Sequence, residues 1–121
     1  MKIPGPDHPI TISPAPGRVI VRFAGRAVAD SPRALILKES SYPEVLYLPR
    51  EDADMALLEP TTHASHCPYK GDASYFSLHV GDARAENAVW SYAEPFDTVT
   101  AIAGHLAFYP SRVDAIERVA E

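Results

Sequence analysis

Twelve prolines in 121 residues limit this chain more than any other feature. A proline inside a helix removes a backbone hydrogen bond and clashes with the preceding turn. The prolines are scattered from Pro4 to Pro110, so a bundle of long helices is excluded and short strands, turns and caps are favoured. With 46% hydrophobic residues, a chain of this length can withdraw about two-thirds of its unfolded surface from water, which supports one core without a disulfide or structural metal.

Five of the prolines fall among the first seventeen residues, together with Gly5 and Gly17. We read residues 1–17 as an extended arm and residues 18–121 as a single domain, with Ile10-Thr11-Ile12 able to pin the arm to the body. From Arg18 the pattern has the period of strands. Val19, Val21 and Phe23 alternate with Ile20, Arg22 and Ala24, and Gly25 turns the chain into a second strand ending near Asp30. Ala34–Leu37 and Val45–Leu48 are two further short apolar runs bounded by prolines. Thr61–His66 and Ser74–Val80 flank Cys67-Pro68-Tyr69-Lys70-Gly71, which has the residues of a hairpin tip. Strands are also expected near Arg84–Tyr92 and His105–Tyr109. Two helices are expected. One lies near residues 51–58, with Glu51, Asp52 and Asp54 in its first turn and Pro60 at its end; the other lies near 112–120, with Ser111 as N-cap and Val113, Ile116 and Ala120 on one stripe.

The charge is −5. General affinity for nucleic acid rests on neutralising phosphates with Lys and Arg, so nucleic acid is not an expected partner. Arg18, Arg22, Arg26 and Arg33 are nonetheless concentrated in the first third, and we expect them to pair with acids across a sheet. The N-terminal segment has no apolar core of a secretion signal, and no apolar run is long enough to span a bilayer. One cysteine permits no intrachain disulfide. These features give a cytoplasmic protein as the expectation.

Three segments carry a family resemblance. T-T-H-A-S-H-C-P-Y-K-G-D-A-S-Y at Thr61–Tyr75, W-S-Y at Trp90–Tyr92 followed by Pro95, and G-H-L-A-F-Y-P-S-R-V-D at Gly104–Asp114 resemble the bacterial domain-of-unknown-function family four-two-seven. That family also carries a nucleotidyltransferase label. The resemblance spans about residues 17–114 and implies a mainly β, β-tent-like domain, in which two antiparallel sheets lean together over a pocket. The β-tent architecture is shared with B-type methionine sulfoxide reductases and the thalidomide-binding domain of cereblon. Many β-tents hold zinc on two C-x-x-C pairs; this chain has only Cys67, and no cofactor is implied.

Cys67 and Lys70 are the candidate catalytic residues. A thiolate is a nucleophile when a nearby cation stabilises it, whereas an unactivated free cysteine behaves as a small buried hydrophobe, and both readings stay open for Cys67. Lys70 is either a solvated turn residue or a point charge folded over a pocket. Tyr69, Tyr75, Trp90 and Tyr92 are the candidate ligand-binding residues, since pairing of the strands near 75 and 90 would assemble an aromatic wall. His63, His66, Cys67, His79 and His105 lack the spacing that preorganises a metal site, so none is expected. The only Asp-x-Asp is Asp52-Ala53-Asp54, with no glycine-bearing phosphate loop before it, which gives nucleotidyl transfer little support. The residues therefore point first to a small-molecule-binding domain with its pocket between sheets, with an enzyme using Cys67 or Lys70, or the labelled transferase, as alternatives. The ligand and the oligomeric state are not specified by the sequence.

Overall fold

The computed structural model describes residues 1–120. They form ten strands: β1 (Ile10–Pro14), β2 (Arg18–Phe23), β3 (Arg26–Ser31), β4 (Leu35–Glu39), β5 (Val45–Tyr47), β6 (Leu58–Cys67), β7 (Gly71–Val80), β8 (Ala83–Ser91), β9 (Leu106–Phe108) and β10 (Ala115–Val119). All pairings are antiparallel, in the orders β1-β4-β5, β10-β2-β3 and β6-β7-β8-β9. The domain is mainly β, as expected, but it has three sheets where two were expected. Among the described residues no helix is long and apolar enough to cross a membrane.

The hairpins follow local chemistry. Phe23 pairs with Arg26, leaving Ala24 and Gly25 as a two-residue loop. Both have positive φ, as the primed turns that match strand twist require. In β3 the register slips opposite Val21 and Arg22, so that Val28 and Ala29 are buried side by side. Cys67 pairs with Gly71, and Pro68-Tyr69-Lys70 form the tip between β6 and β7. Residues 1–17 do not hang free: Ile10–Pro14 pair along β4, and the Lys2 amide donates to the Pro68 carbonyl at 2.7 Å.

Neither expected helix forms. The segment near 51–58 is two 3-10 turns, Arg50–Asp52 and Met55–Leu57, split by extended Ala53, which bridges Ala29 of β3. The acids that would favour a helix N-terminus have stronger partners. Asp52 is bound by Arg33 at 3.1 Å and Ser31 at 2.7 Å, and Asp54 by Arg26 at 2.7 Å. At the C-terminus a 3-10 turn at Pro110–Arg112 leads into strand β10, which covers the edge of β2. Ile116 lies opposite Val21, and Glu117 bonds Arg22 at 2.9 Å. The Asp114 carboxylate accepts from the Gly25 amide at 3.1 Å. A waiting strand edge outweighs a short apolar stripe rich in β-branched Val and Ile. The four arginines of the first third all pair with acids, but only two do so across a sheet, Arg18 with Asp30 and Arg22 with Glu117, each at 2.9 Å; Arg26 and Arg33 reach Asp54 and Asp52 at the 3-10 turns instead.

Two cores result. On one face of the β6–β9 sheet, Phe76, Leu78, Val89 and Phe108 pack with Val19, Val21 and Val28 of the β10-β2-β3 sheet. On the other face, Ala73, Tyr75, Tyr92 and Ala107 pack with Leu37 and Tyr47 of the β1-β4-β5 sheet, closed by Val99 and Ile102 from the 3-10 stretch Asp97–Ile102. The two sheets around this second core meet at a seam where Leu48 and Leu106 exchange backbone hydrogen bonds of 2.8 and 2.7 Å. A cavity lined by residues of both sheets is where the candidate site lies.

Candidate functional site

Alternation along β7 and β8 places Tyr75 and Trp90 on the second-core face while Phe76 and Val89 face the first core. Tyr75 and Trp90 are cross-strand partners. Tyr92 continues beyond β8 into the same core. The hairpin tip brings Lys70 to this side, where its carbonyl accepts from the Phe96 amide at 3.0 Å. Gly71 lets the chain make that approach at φ +113.

These four residues line one cavity of about 220 Å³, opposite Leu37, Glu39, Val45 and Tyr47 of the β1-β4-β5 sheet, with Tyr42, Pro43 and Tyr109 at its rim. Trp90 is the wall's centre. Its indole N–H donates to Tyr47 Oη at 3.3 Å, its ring meets Tyr47 edge-on at 6.4 Å, and Tyr109 lies against it at 4.4 Å. Tyr75 Oη bonds Ser65 Oγ at 2.9 Å, and His63 packs on the Tyr75 ring at 4.4 Å.

The polar end of the cavity is a buried charge cluster. Lys70 is only 8% exposed and its ammonium is in direct hydrogen-bonded contact with Glu39 Oε1. The other oxygen, Oε2, lies 2.7 Å from His8 Nε2, which must carry the hydrogen because an ionised carboxylate only accepts. Burial pushes the Glu39 carboxyl up, but the hydrogen bonds from Lys70 and His8 together outweigh it and hold the pKa below the ordinary value. Glu39 thus contributes stability above the unfolded pKa of about 4.3, and that contribution is lost as pH falls through the lower folded value. The stability lost between pH 6 and pH 3.5, measured by urea unfolding, is therefore expected to be smaller in Glu39→Gln than in the native domain. An equal loss would show that the cluster does not hold this carboxylate ionised.

The phenols are held neutral. Burial pushes Tyr47 up to about 12, against the hydrogen bond from Trp90 and with the neighbouring Glu39 charge adding to it. Burial likewise holds Tyr92 far above the ordinary phenol value, and its neighbours Tyr47 and Cys67 reinforce the shift.

Two expected site residues lie elsewhere. Cys67 is half-buried, packed against the second core but not lining the cavity. Tyr69 stacks face to face on His8, centroids 3.9 Å apart, with the Lys2 ammonium 5.9 Å from its ring; it fastens residues 1–9 over the hairpin tip. Sequence reasoning missed Glu39, Tyr47 and Tyr109. A signal existed for the first: Glu39 is two residues from Leu37 and shares its face of β4, so a carboxylate stands at an inward position. The histidines are dispersed, with His66 on Asp72 at 2.7 Å and His79 on Glu59 at 2.9 Å. Among the described residues no three His, Cys, Asp or Glu side chains converge as they would to hold a metal ion.

A second, more apolar groove of about 460 Å³ lies between β5, β9 and β10, and Trp90 and Val45 also border it. It has no buried charge comparable to Lys70 and Glu39.

The model of the family described as a domain of unknown function, DUF427, matches residues 11–119. No curated protein matches the chain. The match takes in every strand but the first residue of β1, including both sheets around the cavity, and the chain belongs to the DUF427 family.

Proposed function

We propose that this domain binds a small molecule in the cavity between the β1-β4-β5 and β6–β9 sheets. The observation that carries the reading is the convergence of Lys70, Tyr75, Trp90 and Tyr92 on one opening, although they come from a loop, two strands and the segment after β8. Ligand sites are concave, mostly apolar and supplied with a few placed polar groups. This cavity has that composition. Its volume lies below the roughly 300–1,000 Å³ of drug-sized sites, so the ligand is a single ring or something of similar bulk. The net charge of −5 weighs against a nucleic acid, and a lone thiol suits a reducing cytoplasm.

The alternatives have weaker support. Cys67 lies outside the lining, and Lys70 is neutralised by Glu39, which disfavours covalent or acid–base chemistry by either. Nucleotidyl transfer would draw on paired carboxylates, but Asp52 and Asp54 are engaged by Arg33 and Arg26.

A thermal-shift screen of single-ring amides, carboxylates and amines, with nucleotides in the presence and absence of magnesium, tests the reading. A ligand at 100 times its Kd stabilises the native state by about 2.7 kcal/mol, a rise of several degrees in Tm. The expected hit is a metal-independent small molecule whose affinity falls at least tenfold in Trp90→Ala, or in Tyr109→Ala if the first variant does not fold. A magnesium-dependent nucleotide hit that is indifferent to both substitutions would overturn it.

A further inference from the structure

Tyr92 is 6% exposed, yet its hydroxyl has no hydrogen-bond partner among the described residues. Every fully shielded side-chain nitrogen or oxygen among those residues does have a partner, so the Tyr92 hydroxyl retains access to the cavity that it lines. Tyr47 accepts from Trp90, but its own O–H has no acceptor among the described residues. Lys70 has three N–H donors and gives one to Glu39. The polar end of the cavity is thus rich in unspent donors. Its charges are already balanced: Lys70 and Glu39 both line it and neutralise each other, with His8 on the far oxygen of Glu39.

Resting on the function proposed above, we propose that the ligand is an uncharged planar molecule bearing a carbonyl-type acceptor, received by Tyr92 Oη, Tyr47 Oη and the spare N–H bonds of Lys70, with its ring against Trp90. A carboxylate in this position would meet Glu39, and an ammonium would meet Lys70. A neutral acceptor meets neither penalty and offers a partner to the Tyr92 and Tyr47 O–H groups, which no side chain among the described residues accepts from. The aromatic walls suit a flat ring in edge or offset contact.

Three probes of matched shape separate the possibilities: benzamide, benzoate and benzylammonium, titrated by calorimetry into the full chain at pH 7. Benzamide is expected to bind at least tenfold more tightly than either ion. Tyr92→Phe keeps the ring and removes the hydroxyl; it is expected to weaken benzamide about tenfold while leaving Tm unchanged or slightly raised, because no protein partner is lost. Tighter binding of benzoate or benzylammonium would overturn the acceptor assignment and leave the cavity as the binding site. A fall in Tm of Tyr92→Phe by several degrees would also overturn it, by showing that the protein itself uses the hydroxyl. Silence of all three probes together with an empty small-molecule screen would overturn both this inference and the reading on which it rests.

Discussion

Glu39→Leu is expected to cost about 3 kcal/mol of stability, far more than a surface substitution, because it leaves the Lys70 ammonium buried without its counter-charge. The side chains of Lys70 and Glu39 are only 11% and 14% exposed, so water screens the pair poorly. The pair's net worth is a different quantity. Exchanging both partners for apolar residues of similar volume is often neutral, since the desolvation of two ions disappears with their attraction. The double variant Glu39→Leu/Lys70→Met is therefore expected to recover most of the loss. Urea unfolding of both single variants and the double variant measures this directly. A Glu39→Leu cost below about 0.5 kcal/mol, the range of an ordinary exposed ion pair, would mean that the cluster is solvated and the polar end of the cavity is not as described.

Gly17→Ala is expected to be comparably damaging for a steric reason. Gly17 joins β1 to β2 at φ +73, and a Cβ there would stand 2.1 Å from the Val119 carbonyl oxygen of β10. The left-handed backbone alone costs an alanine about 1–2 kcal/mol, and the clash with backbone forces β10 away from its place beside β2. We expect a total near 3 kcal/mol. Gly25→Ala is the control. Its φ of +77 is nearly the same, but nothing lies within 4 Å of the added carbon, so only the backbone term should appear. Equal destabilisation of the two variants would show that the C-terminal strand does not pack against Gly17, and would restore a different course for residues 115–119.

These two cases also mark where the sequence could be read and where it could not. The central strands were legible because their alternation is local: Tyr75 and Phe76, or Val89 and Trp90, announce opposite faces without reference to the rest of the chain. Trp90, Tyr92, Tyr75 and Lys70 could be grouped for the same reason, since one hairpin and one strand pairing bring them together. The C-terminal strand could not be read. Val113, Ile116 and Ala120 fit a helical stripe as well as residues 115–119 fit a strand, and the choice is made by the edge of β2, whose Arg22 lies 95 positions from Glu117. The same distance in sequence hid the third sheet. Near residue 52 the acids suggested a helix start, but they serve Arg33 and Arg26 instead. Glu39 was hidden because its partners come from the hairpin tip and from residues 1–9, and no spacing connects His8, Glu39 and Lys70. Tyr69 shows the opposite case: a tip aromatic that pattern placed with the ligand wall belongs, through His8, to the fastening of the N-terminal segment.

Trp90 is the chain's sole tryptophan, so a ¹H–¹⁵N spectrum of the labelled domain contains one indole resonance, and it reports from the wall of the cavity. Titration with benzamide, or with the best small molecule from the thermal screen, is the most direct test of the claim that the opening between the two sheets is the binding site. We predict that the indole signal shifts progressively and that the backbone amides of Lys70, Tyr75 and Tyr92 move with it. An unmoved indole, with shifts gathered instead along the outer face of β6 from Glu59 to Ala64 or along β10, would contradict the account.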